Sequence, residues 1–391
     1  MKPPTNTAPM AFAKPALPGN ESLKSIFDLC VGKTRHNIKA LADEPKSWSN
    51  AADGNYAAFN EGFYELGNWT TSFFTGMALL AWRATEDEYF LQQTLRLAPA
   101  YRAKAVNPKF HSHHDMGFLY SLYSVALYKL TGDQEHREVG LAAAEALAMR
   151  FNATGKFIRA WGALGTTEQE NMAIIDCLMN LPLLYWASEV SGDKKFREMA
   201  VVHADTTLKT FIRPDDSVCH AFRYDLKTGA SIGQDNYCGF GVDTYWARGT
   251  TWAIYGFAMS HRYTGDKRYL DASLRVLRKF MTQLDAEVVP LWDFRLPASE
   301  KPLRDASAAS VAVCAIQELE KLQAADASMT KLKHALLERI CSADCLDFNE
   351  ACPGVQKLGQ AGLSRNAYTS WGDYYLMEGL SRELGQGETW W

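Results

Sequence analysis

The stretch His111–Tyr120, HSHHDMGFLY, places three histidines and an aspartate within five residues, directly before an apolar run. Such a cluster could ligate a metal, line a catalytic loop, or form the polar edge at which a helix begins. Metal ligation fits poorly. Zinc ligands on a helix want i, i+4 spacing as in HExxH, which is absent, and adjacent histidines on an extended segment point to opposite sides. His220, far along the chain, could reach a shared cavity, but a ligand set needs several convergent groups. Asp115 has the residue type of a helix N-cap. Asp176 is harder to assign to structure alone. It sits in NMAIIDCLMNLPLLYW, where a carboxylate is rarely buried without a partner or a purpose. Desolvation there should raise its pKa, the condition a general acid needs near neutral pH. The structural alternative is a buried ion pair with Arg248 or Arg304. Two carboxylates facing an aromatic-lined cavity point to acid/base chemistry on a glycoside. Gly-rich phosphate loops and a Gly-x-Ser-x-Gly elbow are missing, so nucleotide and serine-hydrolase chemistry have no support.

The elements that must position these residues read as helices from about Glu21 onward. Turn signals recur in KLTGDQEHR, EVSGDKKFR and RYTGDKRYL, with a glycine-free copy in RATEDEYFL. In the three full copies an apolar helix runs into Thr or Ser, a C′ glycine, and an aspartate that caps the next helix. The first helix of each hairpin is apolar on most sides: 68–84, 116–130, 172–190, 246–263 and 306–319. The second carries charge and a single apolar stripe: 134–151, 194–211 and 267–284. A helix apolar all round is buried and an amphipathic one covers it. With 371–384 as the last inner helix and 22–41 as its outer partner, six inner and six outer helices predict an all-α (α/α)6 toroid. Its single catalytic domain would span 21–391, after a disordered N-terminal arm over 1–20. One β-hairpin excursion is expected near 218–232, turning at Lys-Thr-Gly. Each inner helix opens with Trp, His, Asp, Arg or Tyr. Inner helices running in parallel would gather these starts on one rim, whose helix N-termini favour an anionic ligand.

Composition bounds the partners. A net charge of −4, without a long basic run, argues against nucleic acid. No apolar run reaches the roughly 18 residues a membrane span requires. Eight scattered cysteines form no CxxC pair, and Cys341 and Cys345 lack a histidine partner at zinc-finger spacing. They read as free thiols of a reducing, cytoplasmic compartment. The proline-rich start does not fit a signal peptide. No cofactor or metal is expected, and the protein should act as a monomer or homodimer.

Taken together, NWTTSFFTGM, HHDMGFLY, IIDCLMNLPLLYWAS, YWARGTTWAIYGF, VVPLWDFRLP and RDASAASVAVCAIQEL resemble the unsaturated glucuronyl hydrolases, family 88 of the glycoside hydrolases. They fall in order from about residue 65 to 320, with a weaker WGDYYLMEGL near the end. The resemblance implies an (α/α)6 barrel acting on oligosaccharides left by polysaccharide lyases. Their non-reducing uronic acid carries a C4=C5 double bond, which these enzymes hydrate. It also implies that Asp176 is the general acid/base and Asp115 the second essential aspartate. Substrate contacts would carry over to Trp69, Trp161, His220, Arg248 and Trp252, with His114 and Trp371 on the same rim. Two departures stand out. A family QGY triplet is replaced by Cys238-Gly239-Phe240, with Gln234 as a candidate stand-in. No sulfate-recognising serine/lysine motif can be placed in GLSRNAYTSWGDYY. The rival readings are an unsaturated rhamnogalacturonyl hydrolase acting on pectin fragments, a sugar epimerase or isomerase, and a non-catalytic sugar-binding protein.

Overall fold

The computed structural model describes residues 19–45, 49–58, 69–107, 113–360 and 366–391. Most of the arm expected over 1–20, and the segment 361–365 within GLSRNAYTSWGDYY, lie outside them. In chain order the helices are α1 (Asn20–Asp43), α2 (Ser72–Thr85), α3 (Glu88–Leu95), α4 (Ala98–Val106), α5 (Met116–Tyr120), α6 (Ala126–Thr131) and α7 (Gln134–Ala148). They continue as α8 (Leu181–Ser191), α9 (Lys194–Thr210), α10 (Ala247–Thr264), α11 (Lys267–Met281), α12 (Ala306–Lys321), α13 (Ala327–Ile340) and α14 (Ser370–Glu383). Residues 121–125 form a π-helical turn that joins α5 to α6.

The alternation of apolar and one-sided helices sorts these elements as expected. Among the described residues, the inner set is α2, α5 with α6, α8, α10, α12 and α14; α10 and α12 are buried over nearly their whole length. The outer set is α1, α3 with α4, α7, α9, α11 and α13. Neighbouring inner elements pack side by side around the ring, and α14 closes it against α2. The hairpin corners follow the sequence signals. Gly132, Gly192 and Gly265 adopt φ of +73°, +78° and +73°, and Asp133, Asp193 and Asp266 each accept a hydrogen bond from a backbone N–H of the helix they cap. Two corners turn without glycine: Glu86 (φ +56°) stands directly before its cap Asp87, and Gln323 (φ +57°) stands three residues before its cap Asp326.

Two expectations need correction. The span 172–190 is not one helix. It is a strand (Met172–Ile174), a 3₁₀ turn (Ile175–Met179) and then α8, so Asp176 lies on a turn rather than within a helix. Pro182 favours a helix start at this point because it lacks an N–H, while the residues before it pair as strand. The hairpin near 218–232 is real but shifted: Ala221–Tyr224 pairs with Ser231–Asp235, and Met172–Ile174 adds a third antiparallel strand. Its turn is held by Asp225, whose Oδ1 accepts from the N–H groups of Lys227 and Thr228. That sheet matters for the chemistry, because it ties the approach to Asp176 to the segment carrying His220.

Candidate active site

Side-chain contacts connect the six inner-helix starts into a closed ring. Trp69, ahead of α2, stacks on Trp371 of α14 with centroids 5.0 Å apart. The Trp371 indole N–H donates to Ser307 Oγ (3.0 Å) at the start of α12. Arg248, in the first turn of α10, donates to Asp305 Oδ2 (3.0 Å), the N-cap of α12. Trp246, the residue before α10, meets the edge of His220, whose Nε2 lies 3.8 Å from Asp176 Oδ2. Asn180, just before α8, accepts from the Phe118 N–H of α5 (2.7 Å), and Phe118 packs on Trp69 at 5.3 Å. The expected common rim is therefore present.

Asp115 occupies the N-cap position of α5 but makes no side-chain cap bond. The cap is supplied from another element, by Asn180. Gly117 makes this possible: a Cβ there would lie 2.3 Å from the Cα of Asn180, so the two segments could not approach as they do. The Asp115 carboxyl is nearly buried, and its pKa is pushed up to about 8, first by desolvation and then by the negative charge of Asp176. Arg150, a hydrogen bond from Asn180 and Lys104 partly offset that rise.

The Asp176 carboxyl is also desolvated, and its pKa rises to about 6 despite the opposing charge of Arg248. Its Oδ2 has no hydrogen-bond partner among the described residues. The ion-pair alternative fails, because both arginines are engaged elsewhere. Arg248 pairs with Asp305, and Arg304 donates to both carboxylate oxygens of Asp285. His220 presents an N–H edge toward Asp176, at 3.8 Å and without a hydrogen bond between them. Its Nδ1 accepts from the N–H groups of Tyr237 (3.0 Å) and Cys238 (3.2 Å), which leaves the proton on Nε2. Burial and the charge of Arg248 hold that imidazole neutral, with its pKa down at about 3. Ile175 N–H donates to the His220 carbonyl (3.0 Å), so the sheet sets the spacing between histidine and aspartate.

Arg248 lies between the indoles of Trp246 and Trp371, 4.7 and 4.8 Å from their ring centroids, and its Nη1 also donates to the Gln360 carbonyl (2.9 Å). Its Nε is left without a partner among the described residues. Trp161 is half-buried at the rim and packs on Tyr237 at 4.8 Å; Tyr237 is 68% exposed.

Three sequence-level expectations are revised. Trp252 is fully buried between Phe118 and Tyr375, so it has no face open to a sugar. His114 is fully buried as well, with Nε2 3.3 Å from Asp115 Oδ1, and it backs the carboxylate rather than lining the cavity. Gln234 accepts from Arg213 (3.0 Å) and lines a separate surface cavity of about 630 Å³ with Lys209 and Arg275. It does not stand in for the glutamine expected at Cys238. Among the described residues, no group of three His, Cys, Asp or Glu side chains is arranged to hold a metal.

The Glycosyl Hydrolase Family 88 profile matches residues 44–328. The chain belongs to glycoside hydrolase family 88. An unsaturated glucuronyl hydrolase of Bacillus sp. (strain GL1) is 33% identical over 376 residues, covering 92% of this chain and 96% of that protein. An unsaturated chondroitin disaccharide hydrolase of Streptococcus pneumoniae is 33% identical over 83% of each chain. The crystal structure of the Bacillus sp. GL1 enzyme superposes with a TM-score of 0.86 at 31% identity, covering 94% of this chain and 99% of that one. Family 88 membership makes the chain a glycosidase built on the helical barrel described above.

Within this family-88 site, sequence reasoning missed Asn180, Tyr237 and Asp305 as working parts. An asparagine inside LMNLPLL was the available signal for Asn180, since an amide amid apolar residues needs a buried partner. Asp305 stood within the quoted RDASAAS, where it read only as part of a helix start. Nothing in the sequence around Tyr237 marked it as the neighbour of Trp161.

Proposed function

We propose that this glycosidase releases the 4,5-unsaturated uronic acid from the non-reducing end of lyase-generated oligosaccharides by hydrating the C4=C5 vinyl ether. Protonated Asp176 gives its proton to C4. Water bonds to C5, where positive charge has developed, and passes a proton back to the Asp176 carboxylate. The hemiketal so formed opens and releases the remaining sugar chain. One residue thus serves as acid and then as base, and proton balance is restored within the turnover.

The observation that carries this reading is the Asp176 carboxyl, desolvated and with Oδ2 unpartnered among the described residues, on the rim shared with Arg248 and a neutral His220. An entering uronate places a second negative charge beside Asp176, which favours its protonated form. Arg248 is the charge complement for that uronate, and Trp69 and the Trp161–Tyr237 pair offer ring faces to sugars. Trp371, only 3% exposed and covered by Trp69 and Arg248, braces those two side chains instead of contacting sugar as its residue type suggested. Asp115, neutral up to about pH 8, works beside Asp176 as a hydrogen-bonding acid.

The pectin-directed alternative shares this chemistry, but the relatives named for glucuronyl and chondroitin substrates favour the glucuronyl group. All eight cysteines are free, which supports a cytoplasmic location, and among the described residues no helix is long and apolar enough to cross a membrane. We read 21–391 as one catalytic domain.

The test is to incubate the protein with unsaturated products of chondroitin, heparin, gellan, xanthan, ulvan and pectin lyases, following loss of the alkene's ultraviolet absorbance. Decline is expected with glucuronyl-type products. Absence of decline with every product refutes the proposal, and decline confined to the pectin product transfers it to the rhamnogalacturonyl class.

A further inference from the structure

We infer that Asn180 is a positioning residue for the reaction: it caps the Asp115 helix from a neighbouring element and thereby fixes the two carboxylates relative to each other. This rests on the assignment of Asp115 and Asp176 as the reacting pair.

A helix start leaves several backbone N–H groups unsatisfied, and the residue at the N-cap normally accepts one of them. Asp115 stands at that position and has the right side chain, yet makes no such bond. Had it done so, its carboxyl would be turned back onto its own helix. Instead Asn180 Oδ1 takes the Phe118 N–H at 2.7 Å, across 62 residues of sequence. The Asn180 amide is bipolar, and its other end is also used: Nδ2 donates to the Asp176 carbonyl at 3.3 Å and is within reach of the Asp115 carboxyl. One fully buried amide therefore touches the helix that carries Asp115 and the turn that carries Asp176. The missing side chain at Gly117 lets the two backbones meet at that point. An aspartate that caps its own helix commits one oxygen to it, as Asp305 Oδ1 does at the start of α12. Moving the cap to Asn180 releases Asp115.

Asparagine suits the position because it both accepts and donates without charge. Alanine removes both functions and leaves the Phe118 N–H unpaired. Aspartic acid mimics the amide while protonated and becomes a third carboxylate when it ionises. The experiment compares Asn180→Ala and Asn180→Asp with wild type on an unsaturated disaccharide, from pH 5 to 8, with circular dichroism to verify folding. Asn180→Ala is expected to lose on the order of 100-fold in kcat, the size of effect a misplacement of about 1 Å produces, with KM changed less than about threefold. Asn180→Asp is expected to recover most of kcat at pH 5 and to show a displaced alkaline limb. A kcat within about threefold of wild type in folded Asn180→Ala overturns the inference. Should that variant fail to fold, Asn180→Asp decides alone: a profile superimposable on wild type, or no turnover at any pH, overturns it. Asp176→Asn, run in parallel, separates the two claims. If it retains turnover, the catalytic assignment fails; if it is inactive while the Asn180 variants behave as wild type, the positioning role alone fails.

Discussion

Replacing Asp176 with asparagine should cost activity and gain stability, and the two effects should part company with pH. The carboxyl titrates at about 6 in the folded protein against an ordinary 3.8. At ~1.36 kcal/mol per pH unit, its charged form is disfavoured in the fold by about 3 kcal/mol. The unfolded chain releases this proton near pH 3.8, whereas the folded chain holds it to about 6. The raised pKa therefore contributes no penalty below 3.8, costs progressively more between 3.8 and 6, and costs the full amount above. Asparagine has the same shape and no charge, so the variant escapes that cost. Unfolding entropy of about 2.1 cal/mol/K per residue, over a chain of this length, converts each kcal/mol into roughly 1 °C of Tm, so the gain is at most roughly 4 °C. Thermal unfolding of both proteins at pH 4 and pH 8, followed by circular dichroism, measures it. The expected result is near-equal Tm at pH 4, a variant several degrees more stable at pH 8, and turnover reduced about 10²- to 10⁴-fold. A Tm difference that does not change with pH refutes the desolvation argument, and retained turnover refutes the acid role.

Asp115 keeps its proton to about pH 8, so it is neutral while Asp176 titrates; Asp115→Asn should lower kcat yet leave the alkaline limb of kcat/KM near pH 6, and a limb moved by about a full pH unit would show that the titration order is reversed. Arg248→Lys keeps the charge but not the planar guanidinium held between two indoles, whose Nη1 donates to both Asp305 and the Gln360 carbonyl. Steady-state kinetics should show KM raised by about tenfold or more, whereas an unchanged KM removes Arg248 from the binding account. Trp252→Ala should act on the core, costing about 3–5 kcal/mol in denaturant unfolding. A variant of normal stability with raised KM would return Trp252 to the sugar.

The ring was legible because its signals are local. Each full corner carries Gly then Asp in adjacent positions, and each inner helix is apolar around its circumference, so a single pass along the chain finds both. The glycine-free corner at Glu86 was still readable in RATEDEYFL because Asp87 follows it directly, whereas the corner at Gln323, which has no such adjacent aspartate, marks the limit of that reading. Asp176 was legible because an acidic residue in an apolar run is anomalous in itself. Its neighbours were not, because what makes them functional is a contact with a distant segment. Trp252 and His114 have the right residue types for sugar contact, but burial removes them from the cavity, and burial depends on how far each helix is rotated. Asn180 presents the opposite case, with an unremarkable residue type and a decisive location. Its amide reaches Phe118 only because Gly117 leaves room, and a sequence records neither the gap nor the approach across it. The same logic explains why Asp115 reads as a cap in the chain and fails to cap in the fold. The position is set locally, while the bond is supplied from elsewhere, and that substitution leaves the carboxylate available to the cavity.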